Sequence, residues 1–200
     1  MRGGDTSALR SYNARLILDA IRTQGPLSKA ELARATGLSA QAAAVIVRAL
    51  LADGMLVEHA KVRGRVGQPM TPLALNPAGA FSLGVMIGRR GVDAALVDFT
   101  GARLSLRRAR YAAPLRRPAT ALAAELAQEA LATLKPEARR RVVGLGLAMP
   151  GEMHLWAREV GLAPGALDDW RDADPAGELA VATGLPAQAY NDATAACAAE

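Results

Sequence analysis

The feature that most constrains this chain is a run of helix start and stop signals between Tyr12 and Gly54. In residues 12–23, Leu16, Ile17, Ala20 and Ile21 share one helical face, and Gln24-Gly25-Pro26 closes the segment. Ser28 with Glu31 three residues on forms a capping box that opens a second helix carrying Leu32 and Ala33 and ending at Thr36-Gly37. Ser39 caps a third helix, with Val45, Val47, Leu50 and Leu51 as its apolar positions and Asp53-Gly54 as its stop. Three short helices with a tight glycine turn between the second and third outline a helix-turn-helix.

Met55–Glu58 then reads as a short strand, 61–69 as a basic, glycine-rich loop, and Leu73–Leu75 as a returning strand, which together make a wing. Charge agrees with this division. Residues 1–80 hold ten Lys and Arg against five Asp and Glu, so the whole net charge of +5 sits there, while residues 81–200 hold fourteen of each sign. A basic head beside a neutral body points to nucleic acid as the head's partner. Asn76-Pro77-Ala78-Gly79 is the expected boundary, giving a winged helix-turn-helix over 1–78 and a second domain over 79–200.

The second domain changes rhythm. Phe81–Ile87, Val92–Phe99 and Arg103–Tyr111 read as three successive strands of an antiparallel meander, followed by an Ala/Leu-rich helix over 118–134. Val142–Ala148 reads as a buried strand, 175–183 as a helix and Ala187–Tyr190 as a strand, with a last helix opening after Asp192. The order indicates an α/β class. The chain stops at Glu200 soon after that helix begins, so a fragment or truncated product is expected.

Cys197 is the single cysteine, so no intrachain disulfide can form and a reducing compartment fits. Cys197, His59 and His154 are too few and too scattered for a four-ligand metal site, and no metal or cofactor is expected. No signal peptide and no apolar run of spanning length is visible, so a cytoplasmic protein without a membrane partner is expected.

If the third helix enters a major groove, its first residues reach base edges: Ser39, Ala40, Gln41, Ala42 and Ala43. Gln41 can bond adenine bidentately and alanine methyls can meet thymine methyls. Arg48, Lys29 and Arg34 suit phosphate. In the wing, Gly64, Gly67 and Pro69 let the backbone approach DNA, while Arg63 and Arg65 suit a minor groove. The competing reading is a three-helix dimerisation or protein-binding domain, which the alanine-rich third helix favours and the basic wing opposes.

The order of these features, then Leu83-Gly84-Val85-Met86-Ile87-Gly88, Gly144 through Gly151 (GLGLAMPG) and Tyr190-Asn191-Asp192-Ala193, resembles the regulator branch of the ROK family (repressors, open reading frames and sugar kinases). The resemblance runs from Tyr12 to Glu200. It implies the first part of an actin-like, sugar-kinase-like ATPase fold, with sugar or sugar phosphate bound in a cleft, a double-stranded operator DNA as partner and a homo-oligomeric full-length form. By the same resemblance Asn191 and Asp192 hold the sugar, with Gly146, Pro150 and Gly151 at a strand end facing them across the cleft. Read without it, Asp192 is the N-cap of the following helix.

The family's kinases carry Asp-x-Gly-Gly-Thr where this chain has Met86-Ile87-Gly88-Arg89-Arg90. A thioether cannot organise a magnesium ion, and the arginine pair reads as a solvated hairpin turn. A regulator without catalytic residues is therefore expected, the alternative being a ROK-type sugar kinase with an N-terminal helix-turn-helix. The family's His and clustered-Cys zinc site and its second lobe are absent from this stretch, and Gly67-Gln68-Pro69 replaces the Gly-Arg-Pro of many relatives.

Overall fold

The computed structural model describes residues 6–61 and 70–199, which divide into two compact units at Gly79/Ala80. In the first, α1 (Thr6–Gln24), α2 (Lys29–Thr36) and α3 (Ala40–Ala52) precede a two-stranded antiparallel sheet of β1 (Leu56–Glu58) and β2 (Leu73–Leu75). Leu56 stands opposite Leu75, and Leu27 bridges Leu73 with both backbone hydrogen bonds, 3.1 and 2.8 Å. Ile17, Ile21, Leu32, Ala43, Val47, Leu56 and Leu73 form the buried core.

The caps set the turn angles. Ser28 Oγ accepts the amide of Glu31 at 3.3 Å, and its own amide and hydroxyl donate to Glu31 Oε2 at 2.8 and 2.7 Å. These bonds, foremost the side-chain one, hold the Glu31 carboxyl below its ordinary range. Gly37 ends α2 in the left-handed conformation, φ 69°, and Ser39 Oγ accepts the amide of Ala42 at 3.2 Å to start α3. The two helices meet at 115°. One expectation is short: α1 begins at Thr6, six residues before the apolar periodicity starts, because residues 8–12 are exposed and leave no periodic trace.

The second unit is a five-stranded sheet in the order β5-β4-β3-β6-β7. β3 (Phe81–Gly88), β4 (Gly91–Asp98) and β5 (Arg103–Arg110) are the antiparallel meander, and β6 (Val142–Met149) and β7 (Ala187–Asn191) add on in parallel. Asp98 closes the β4–β5 turn by accepting from Thr100 N, Thr100 Oγ1 and Ala102 N at 2.8, 2.7 and 3.0 Å. α4 (Arg116–Ala132), α5 (Pro136–Arg139), α6 (Pro175–Thr183) and α7 (Asp192–Ala199) complete the unit.

One sheet face is aliphatic and covered. Leu83, Val85, Ile87, Val92, Leu96, Leu145 and Leu147 pack under α4 and α6 with Ala119, Ala123, Ala127, Leu131 and Leu179. Arg116 pins the two helices by pairing with Glu178 on α6 and, at 3.4 Å, with Asp169. The other face is floored by Gly84, Ala95, Gly146 and Ala148, walled by Met86, Leu106 and Tyr190, and met at one end by Ala195 of α7. Between β6 and α6 runs a loop with short 3-10 turns at Met153–Trp156 and Asp168–Trp170, anchored by Trp170 Nε1 donating to Pro114 O at 2.7 Å.

Among the described residues no single helix is long and apolar enough to cross a membrane. The bent pair α2 and α3 passes by length and composition alone, and it is the helix-turn-helix.

Candidate nucleic-acid interface and sugar site

α3 presents its outer face through Gln41, Val45, Arg48 and Ala52, spaced four, three and four residues apart, while Ala43, Ile46, Val47 and Leu50 face the core. Two sequence expectations change here. Ala43 is fully buried and reaches no base, because it falls on the core-facing side of the helix. Val45, read as an apolar position with no outward role, is 52% exposed and sits between Gln41 and Arg48. Counting back from the buried Leu50 and Val47 would have placed it outside. Ser39 and Ala40 are exposed at the helix start and Ala42 is half-buried beside Gln41. Lys29 and Arg34, at the two ends of α2, are exposed. Arg63 and Arg65, with Gly64, Gly67 and Pro69 of the wing, lie outside the described residues.

In the second unit, parallel pairing of β6 with β7 sets Met149 beside Asn191 and Ala148 beside Tyr190. The chain leaves β6 through Pro150 and Gly151, and a Cβ on Gly151 would stand 3.7 Å from Asn191 Nδ2. Pro150, Gly151, Asn191 and Asp192 thus come together at one end of adjacent strands, rather than facing one another across a cleft. Gly146 does not join them. It pairs with Gly84 and Gln188 in mid-strand, on the open sheet face.

The cap of α7 is also not the one expected. Asn191 Oδ1 accepts the amides of Ala193 and Thr194 at 3.1 and 3.4 Å, so Asn191 caps the helix. Asp192 is the first helical residue, and its Oδ1 meets only the adjacent amide of Ala193, at 2.9 Å. With Asn191 Oδ1 engaged, its Nδ2 remains a donor beside Gly151, and the Asp192 carboxylate retains acceptor capacity. A donor and a carboxylate side by side match two neighbouring hydroxyls.

Met86 stands opposite Asp93 on the open face, and Asp93 is paired with Arg108 at 3.1 Å. The carboxylate nearest Met86 is therefore already engaged. Arg89 and Arg90 form the β3–β4 turn, with Arg89 3.8 Å from Glu159. Among the described residues no group of three or more His, Cys, Asp or Glu could hold a metal ion.

Residues 10–57 match the family model for winged helix-turn-helix DNA-binding domains. The chain is therefore, at its N-terminal end, a winged helix-turn-helix protein. A transcriptional regulator of Mycobacterium tuberculosis is 31% identical over 191 residues, which is 92% of this chain and 41% of that protein. The xylose repressor of Bacillus subtilis is 22% identical over 194 residues, 96% of this chain and 49% of the repressor. A crystal structure described as a ROK family transcriptional regulator, a homolog of the Escherichia coli MLC protein, matches with a TM-score of 0.59 at 23% identity over 92% of this chain and 46% of that one. In fold the chain is similar to that ROK family regulator. It spans about half the length of the curated relatives it matches.

Proposed function

We propose that this chain is the DNA-binding and ligand-sensing portion of a cytoplasmic transcription regulator, in which α3 reads a double-stranded operator and a sugar or sugar phosphate bound at the ends of β6 and β7 alters operator affinity. The observation that carries the reading is the outward stripe Gln41, Val45 and Arg48 on a helix set at 115° to its capped partner. It offers one bidentate amide for adenine, one branched methyl pair for a thymine methyl and one guanidinium for phosphate. The head's surplus of five positive charges suits a polyanion and opposes the competing reading of a dimerisation domain. In the wing, Arg63 and Arg65 are assigned to the minor groove.

Sugar sensing is supported by the donor and carboxylate at Asn191 and Asp192, by the open backbone at Pro150 and Gly151, and by the name of the Bacillus relative, a xylose repressor. A regulator without phosphoryl transfer is favoured over a sugar kinase because Met86 stands where a metal-organising carboxylate belongs and Asp93 is tied to Arg108. We take the regulator to be homo-oligomeric, which would set two α3 helices on successive half-sites.

The test is fluorescence anisotropy of a labelled mixed-sequence duplex against residues 1–200 over a range of salt. Affinity falling linearly in log–log coordinates, with a shallower slope in Arg48→Ala, supports the reading. No binding even at low salt overturns it.

A further inference from the structure

α1 carries its core-facing stripe through Ile17, Ala20 and Ile21, and one and two turns earlier the same face presents Asn13 and then Leu9 and Arg10. The stripe changes from buried aliphatic to polar where α1 runs beside the start of α3. There the two helices enclose a groove of about 400 Å³ lined by Leu9, Arg10 and Asn13 from α1, by the N-cap Ser39, and by Gln41 and Val45 among others from α3. Leu9 is 62% exposed and Tyr12, on the adjoining face, 59%. Among the described residues, no hydrogen bond or ion pair engages the side chain of Arg10 or of Asn13.

We propose that this groove is a second half of the nucleic-acid interface. The sugar-phosphate backbone flanking the major groove occupied by α3 runs along it, with Arg10 and Asn13 as phosphate contacts and Leu9 as the apolar surface against the sugar edge. The inference rests on the reading that α3 lies on duplex DNA. The occupant follows from three facts: the groove is continuous with the outward stripe of α3 through Gln41 and Val45, its polar walls are a guanidinium, an amide and a hydroxyl, and the unit that holds it carries the whole positive excess of the chain. A second copy docking here would cover Leu9 and Tyr12 but would also take the Arg10 guanidinium out of water, which costs free energy unless an anion meets it, and a phosphate supplies that anion.

The experiment is an anisotropy salt titration of residues 1–200 on a labelled mixed-sequence duplex, with Arg10→Ala, Asn13→Asp and the α3 reference Arg48→Ala. Circular dichroism melting accompanies each variant, and Arg10→Glu stands in for Asn13→Asp should the latter fail to fold. Loss of about 0.9 from the log–log salt slope in Arg10→Ala, comparable to the Arg48→Ala loss, is the expected result. Asn13→Asp should weaken binding at every salt concentration. If Arg48→Ala reduces the slope while Arg10→Ala and Asn13→Asp leave it unchanged, the groove proposal falls and the α3 reading stands. If Leu9→Asp and Tyr12→Asp instead dissociate an oligomer without altering DNA affinity, the groove is an interface between copies and the proposal is likewise overturned. Absence of wild-type binding removes both.

Discussion

Gly151 lies beside Asn191 just beyond the paired ends of two parallel strands, and a Cβ on the glycine would stand 3.7 Å from Asn191 Nδ2. That clearance lets an alanine fit in ordinary van der Waals contact but narrows the approach to the amide. Gly151→Ala should leave the melting temperature unchanged and weaken sugar binding measured by isothermal titration across a panel of aldoses, D-xylose included. Unchanged binding in Gly151→Val, the bulkier step, would remove Gly151 from the site.

Asn191 and Asp192 divide the labour of one turn, and the division is measurable. Asn191→Ala should cost about 1 kcal/mol of stability through the lost cap, and Asn191→Asp should restore it. Asp192→Ala should leave stability nearly unchanged and remove the sugar response, since the carboxylate acceptor is worth about 1.5–3 kcal/mol toward a hydroxyl. A melting curve for Asp192→Ala that drops as far as that of Asn191→Ala would contradict the assignment of the cap.

Two glycines should fail on substitution for different reasons. Gly37 sits at φ 69° with open space around it, so Gly37→Ala pays only backbone strain, about 1–2 kcal/mol, and Gly37→Asn recovers part of it. A Cβ on Gly91 would collide with the Ala109 carbonyl of the neighbouring strand, so Gly91→Ala and Gly91→Asn should both destabilise by about 1–3 kcal/mol. Denaturant melts of the four variants separate the causes; rescue of position 91 by Asn would refute the steric account.

The capping box gives the head a pH dependence of known sign. The Glu31 carboxyl titrates below its ordinary range when folded, so its contribution is present above the unfolded pKa and lost as pH falls through the folded one. Glu31 is solvent-accessible, which keeps the effect small. The melting temperature of Glu31→Gln should therefore fall less than that of wild type between neutral pH and the acid end of the carboxylate range. Parallel curves would show that Glu31 contributes nothing in its charged form.

Much of the fold is legible in the sequence because local chemistry dictates it. Ser28 with Glu31, Gly37 after Thr36, and Ser39 before the alanine-rich helix each act within three residues of themselves, and the alternation in Phe81–Gly88 announces a strand with one buried face. The site is less legible because it depends on neighbours distant in the chain. That Asn191 rather than Asp192 caps α7 follows from where β7 ends, which pairing with β6 decides. Periodicity cannot report the turns of α1 before Tyr12 either, since Ala8, Leu9, Arg10 and Ser11 are exposed. The outward position of Val45 is legible in the helical period, although its side chain is apolar like those of Val47 and Leu50.

The most direct measurement of the central claim is selection of binding sites from a pool of randomised duplexes, carried out with residues 1–200 and with Gln41→Ala at the same salt. If α3 reads DNA, wild type should enrich a defined motif. Gln41→Ala should then relax preference at one base pair by about 1–3 kcal/mol while holding the rest. A pool that wild type leaves unenriched, or a motif that Gln41→Ala reproduces unchanged at every position, would contradict the account.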